Sequence, residues 1–176
     1  MFTLVIGGAA SGKSEYAENL IVRAGLLSRT YIATMEPFDD ECCARIARHR
    51  ALRAQKNFET VECYTGLERL RLSGKGAVLL ECISNLVANE LYRPHGAGAD
   101  TEAAILRGVD VLLSQCQELV VVSNEIFSGG WAYEGDTRSY LQVLASVNRA
   151  LATRASRVAE IVCGQAVWYK GEGPAQ

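Results

Sequence analysis

Near the N-terminus the residues Gly7-Gly8-Ala9-Ala10-Ser11-Gly12-Lys13-Ser14 follow the pattern G-x-x-x-x-G-K-S, and their setting constrains the fold more than any other stretch. Before them Phe2 to Ile6 reads as a buried strand. After them Tyr16, Ala17, Leu20, Ile21 and Ala24 recur at helical spacing, and Gly25 is placed to end the helix. A glycine-rich loop between strand and helix turns successive backbone N–H groups inward around phosphate oxygens, and the helix N-terminus adds its positive end. In this pattern Lys13 reaches the β and γ phosphates and the Ser14 hydroxyl ligates Mg²⁺. A plain glycine-rich turn would account for neither side chain, so the segment Gly7, Gly8, Ala9, Ala10, Ser11, Gly12, Lys13 and Ser14 is read as a nucleotide-binding loop.

Five more apolar runs continue the pattern: Thr30 to Ala33, Ala77 to Leu80, Leu119 to Ser123, and a terminal pair, Ala159 to Cys163 and Ala166 to Lys170, split by Gly164-Gln165. Continuous apolar runs suit strands covered on both faces, and the intervening segments are long enough for crossover helices. The expected fold is α/β and doubly wound, with a mostly parallel central sheet, helices on both faces and an antiparallel edge made by the terminal hairpin. With 176 residues and 49% hydrophobic content, one domain over residues 1–176 buries its own core. A net charge of −2 leaves no basic footprint for nucleic acid, so phosphate binding must be local. No stretch reaches membrane-spanning length and the start shows no signal-peptide pattern, which points to the cytoplasm. The six cysteines show no C-x-x-C pairing and lie mostly within apolar runs, as reduced buried thiols do.

Glu81 ends one of these runs, at the carboxyl end of a strand, where open α/β sheets hold their ligands. It is either a support for Mg²⁺ or a base or sugar acceptor, or else a carboxylate that only favours the next helix dipole, worth about 0.3–1 kcal/mol. Glu62, on the alternating stretch Glu59 to Tyr64, reads as solvent-facing. The segment from Asp39-Asp40-Glu41 to Arg53 opens with acids and continues as an arginine-rich helix. Arg45, His49 and Arg53 recur every fourth residue, so one face carries an imidazole between two guanidinium groups. That face is either a solvated basic surface or a place where phosphates gather, with a neutral imidazole free to attack phosphorus. His95 lies in the loop-like stretch Arg93 to Thr101 and reads as a surface residue.

Taken together and in order, these segments resemble the bifunctional adenosylcobinamide kinase/adenosylcobinamide-phosphate guanylyltransferase family of cobalamin biosynthesis. The resemblance rests on the loop Gly7 to Ser14, Tyr31-Ile32-Ala33-Thr34, the helix from Asp39 through Arg45-Ile46 to His49, Glu62-Cys63, Leu79-Leu80-Glu81-Cys82-Ile83, Asn124-Glu125, Arg138 and Asn148. It implies a RecA-like P-loop domain, a homotrimer, ATP and GTP as substrates with Mg²⁺, and a corrinoid acceptor. It places the guanylylated histidine at His49, beside Lys13 as the second catalytic residue. Nucleotide contacts fall on Gly7 to Ser14, Ile32, Ala33, Thr34, Arg50, Ala51, Leu52, Arg53, Glu62 and Glu81, with Ser14 and Glu81 at the metal. Ala10 stands where the family commonly carries arginine, Ser146 replaces a family arginine, and Ile126 to Tyr133 departs from the family's glycine-rich stretch. A simpler P-loop kinase and a non-catalytic nucleotide-gated protein are the alternatives.

Overall fold

The computed structural model describes residues 1–128 and 133–173, except the side chains of Glu41, Arg45 and Leu52. In chain order it contains β1 (Phe2–Gly7), α1 (Lys13–Arg23), β2 (Arg29–Ala33), α2 (Asp40–Arg53), β3 (Glu59–Glu62), β4 (Ala77–Glu81), α3 (Ile83–Tyr92), α4 (Thr101–Gln115), β5 (Glu118–Asn124), α5 (Gly135–Arg154), β6 (Arg157–Val162) and β7 (Gln165–Lys170). The strands form one sheet in the order β3-β2-β4-β5-β1-β6-β7, parallel except for the β6–β7 pair. The expected parallel sheet with an antiparallel edge is therefore what the chain builds.

Alternation along each strand divides the core in two. Leu4, Val78, Leu80, Leu119 and Val121 pack towards α3, α4 and α5. Val5, Leu79, Val120 and Val122 pack on the other face, with Ala17, Leu20 and Ile21 of α1. Because both faces are covered, the central strands carry no polar alternation, which is why they appear in the sequence as unbroken apolar runs. The chain leaves β1 for the α1 face and the adjacent β5 for the α5 face. This opens a crevice at the carboxyl ends of the two strands, the usual ligand position in such sheets.

Local signals set the element ends. Gly25, at φ 71°, follows α1, and its N–H donates to the Val22 carbonyl at 3.2 Å, as expected for a helix-stopping glycine. Asp39 caps α2, its side chain accepting from the Cys42 N–H at 2.7 Å. The terminal hairpin turns one residue earlier than the sequence suggests, on Cys163 and Gly164, with φ 49° and 78°. Both angles are positive, the geometry of a two-residue turn that matches strand twist, and the apolar look of Cys163 hides it. Among the cysteines only Cys63 and Cys82 are buried, and Cys43 and Cys163 are exposed. All six are free thiols, but the expectation of mostly buried ones does not hold, because α2 presents much of its surface to solvent.

Leu80 is fully buried in the larger core. Leu80→Ala is expected to cost about 2–5 kcal/mol in urea unfolding without a change in the denaturant slope.

Candidate nucleotide site

The loop between β1 and α1 closes on itself before any ligand enters. Ala10 and Gly12 take left-handed conformations, at φ 55° and 89°. The Ser11 N–H donates to the Gly8 carbonyl at 3.3 Å and the Lys13 ammonium donates to the same oxygen at 2.9 Å. Gly7 is required by close approach, since a Cβ there would lie 2.6 Å from Ser11 Oγ and 2.8 Å from the Ile161 carbonyl. The terminal hairpin braces the loop, with the Gly164 N–H donating to the Ser11 carbonyl at 2.8 Å. On the other side the Glu125 N–H donates to the Gly7 carbonyl at 3.1 Å.

Across the crevice Ser14, at the start of α1, donates a short hydrogen bond to Glu81 Oε1 at the end of β4. Burial pushes the Glu81 carboxyl above the ordinary carboxylate range, while the Ser14 hydroxyl, His49 and Arg53 pull it down. His49 is half-buried on α2 and close enough to act electrostatically on Glu81. Arg53, one turn further along, is 6% exposed, and its guanidinium carbon stands 3.4 Å over the centre of the Tyr31 ring. A desolvated cation–π contact of this kind is worth about 2 kcal/mol.

Among the described residues, three buried side-chain polar atoms lack a hydrogen-bond partner: Ser11 Oγ, Glu81 Oε2 and Arg53 Nη1. Buried polar atoms are nearly always satisfied, so unpaired ones need an explanation. These three come from the phosphate loop and from two side chains that act on each other across its mouth. A hydroxyl, a carboxylate oxygen and a guanidinium N–H form a donor set for a phosphate chain with a hard cation. Glu81 Oε2 beside Ser14 Oγ fits Mg²⁺, which takes few protein oxygens and completes its shell with phosphate and water. Among the described residues no group of three or more His, Cys, Asp or Glu gathers to hold a metal by itself.

Other sequence-predicted residues take different places. Glu62 accepts from Arg50 Nη2 at 2.9 Å and from the Tyr64 hydroxyl at 2.8 Å, forming an exposed rim at the end of β3. Ala51 is exposed beside it, and the side chains of Leu52 and Arg45 lie outside the described set. Ala33 is half-buried, whereas Ile32 and Thr34 are fully buried. Thr34 Oγ1 accepts from the Cys82 N–H at 2.7 Å and donates to the Cys82 carbonyl at 2.9 Å, fixing the chain next to Glu81. Asn89 then holds the Thr34 carbonyl at 2.9 Å. Two contributors, Glu18 and Ser84, carry no motif in the sequence. Glu18 is 2% exposed, pairs with Lys56 at 2.7 Å and raises the Glu81 carboxyl, yet it reads as an ordinary helix glutamate. Ser84 and Asn124 are joined at 2.6 Å across the ends of β4 and β5, a contact only the fold creates. Of the aromatic residues in the variable segment, Phe127 and Tyr133 are exposed and Trp131 lies outside the described residues.

The family model for cobinamide kinase / cobinamide phosphate guanyltransferase matches residues 3–168. The chain belongs to that family. It is 36% identical to the bifunctional adenosylcobalamin biosynthesis protein CobU of Salmonella typhimurium, over 97% of this chain and 100% of that one. It is 32% identical to the corresponding protein CobP of Pseudomonas aeruginosa, over 98% and 99%. Among solved structures, the flagellar accessory protein FlaH of Methanocaldococcus jannaschii superposes with a TM-score of 0.51 at 14% identity, over 96% of this chain and 77% of that one. That likeness shows the RecA-like P-loop fold alone. As a member of the cobinamide kinase / guanyltransferase family the chain is a transferase, and among its described residues no helix is long and apolar enough to cross a membrane.

Two outcomes follow from the site's electrostatics. A carboxyl raised by burial contributes its stability at low pH and loses it as pH climbs through the folded-state value. Glu81→Gln is therefore expected to raise the melting temperature of the nucleotide-free protein at pH 8, with the gain shrinking as pH falls into the ordinary carboxylate range. Thr34→Val leaves the buried Cys82 N–H without a partner, while the Cys82 carbonyl keeps the Leu86 N–H at 3.2 Å, and is expected to cost about 1–3 kcal/mol in urea unfolding.

Proposed function

We propose that the chain phosphorylates the aminopropanol hydroxyl of adenosylcobinamide with a nucleoside triphosphate, ATP or GTP, and then converts the product to adenosylcobinamide-GDP. In the second reaction a ring nitrogen of His49 attacks the α-phosphorus of GTP. An N–P bond forms, the P–O bond to the leaving group breaks, and pyrophosphate departs. The phosphate of adenosylcobinamide phosphate then attacks the same phosphorus and releases the imidazole.

What supports this reading is that His49 and Arg53 both act on Glu81, which is bonded to Ser14 of the loop, and that Ser11, Glu81 and Arg53 each keep a buried polar atom unpaired. The loop N–H groups and Lys13 hold the phosphate chain in both reactions, and in guanylyl transfer Arg53 adds positive charge where negative charge grows, the dominant kind of stabilisation in such transfers. Mg²⁺ held by Ser14 and Glu81 would supply further charge neutralisation on the phosphates. The Arg50–Glu62–Tyr64 rim is suited to the base of the nucleotide, with the Glu62 carboxylate as acceptor. The loop from Gly7 to Ser14, Ile32 to Thr34, and Arg50 to Arg53 complete the nucleotide contacts. Residence in the cytoplasm and a homotrimer are part of the same proposal and rest on the family resemblance.

Separate assays of the two reactions test it. His49→Ala is expected to keep cobinamide phosphorylation while losing guanylyl transfer by about 10³-fold or more. Guanylyl transfer at the wild-type rate in that variant would leave only a P-loop kinase. The enzyme–GMP bond is expected to break in acid and survive in base, and the opposite stability would assign it to another type of residue.

A further inference from the structure

Resting on that reading, we infer that Tyr31 is a positioning residue for guanylyl transfer: its ring pins Arg53 and so docks the end of α2 that carries His49. The Arg53 guanidinium carbon lies 3.4 Å from the ring centre, in direct stacking contact and well inside the cation–π range. Both side chains are buried, Tyr31 at 5% and Arg53 at 6% exposed. Among the described residues no carboxylate forms an ion pair with Arg53, and its Nη1 has no hydrogen-bond partner. A buried guanidinium without a paired anion is costly, and the aromatic face is what the fold offers in its place. The ring is itself fixed, with its edge against Phe58 at 6.3 Å between centroids and an interplanar angle of 79°.

Elsewhere α2 has little to hold it. Most of its described side chains are exposed or half-buried, and Arg53 is the buried one. The further ties near its C-terminal end are the exposed Arg50–Glu62 pair and, beyond the helix, the Lys56–Glu18 pair. His49 and Arg53 are four residues apart on one face, so a rigid Arg53 fixes the imidazole one turn away. Reaction geometry is sensitive at this scale, since misplacement by an ångström costs about 10²-fold in rate. The kinase step draws on the loop and β4 and uses no side chain of α2 as nucleophile. Tyr31 therefore acts on one of the two activities.

The test follows the rate of GMP adduct formation with Mg²⁺ and GTP, alongside the cobinamide kinase rate, in Tyr31→Leu and Tyr31→Phe. Tyr31→Leu is expected to slow adduct formation by about 10–10²-fold and to change the kinase rate less than about threefold. Tyr31→Phe keeps the aromatic face and is expected to restore adduct formation. Equal loss of both activities, equal loss in both variants, or an unchanged adduct rate in Tyr31→Leu would overturn the inference. If Tyr31→Leu does not fold, Tyr31→Met, which fills the space without an aromatic face, carries the test, with slow adduct formation expected and a wild-type rate overturning it. A wild type that forms no adduct would refute the histidine mechanism itself, a result distinct from any difference among variants.

Discussion

The hydrogen bond from Ser14 to Glu81 joins the two halves of the site, because it connects the first turn of α1 to the carboxyl end of β4. Burying Glu81 to make it has a cost, visible in the carboxyl that burial raises and in the unpaired Oε2, and the Ser14 hydroxyl offsets part of it. A buried carboxylate with one free oxygen makes the ligand-free protein less stable than an apolar replacement would. The same features make the position receptive to a hard cation and a phosphate chain. Stability and binding thus pull in opposite directions at Glu81, which is where a functional site differs from a core position.

Around that bond the fold supplies rigidity from three sides. Thr34 grips the backbone next to Glu81, the β6–β7 hairpin holds Ser11 through Gly164, and β5 holds Gly7 through Glu125. The phosphate loop is set by backbone contacts before a nucleotide arrives, so little ordering remains to be done on binding. The helix carrying His49 is held differently, by a stack and a few ion pairs at its C-terminal end. The phosphate loop and the helix that carries His49 are therefore tethered differently.

Much of this is legible in the residues alone. The loop pattern, the doubly buried strands and the acidic start of α2 each have a local physical signature, and each appears where that signature puts it. The turn at Cys163 and Gly164 was displaced by one residue because a positive φ at cysteine has no sequence mark. The i, i+4 spacing of His49 and Arg53 is visible in the chain, but the partner that gives it meaning is not. Tyr31 lies 22 positions away from Arg53 and reads as one more apolar strand residue. Glu18 and the Ser84–Asn124 contact are hidden for the same reason: their roles arise from topology that brings distant segments together. Ile32 and Thr34, which the family resemblance implies at the nucleotide site, are buried, and Thr34 holds the backbone next to Glu81.

The most direct measurement is intact-protein mass after incubation with Mg²⁺ and GTP, followed by peptide mapping of any added mass. Covalent chemistry on α2 predicts one GMP-sized increase located on the peptide that contains His49, and its absence when Lys13 is replaced by alanine. A protein that binds GTP yet gains no mass, or carries GMP on a peptide without His49, would contradict it.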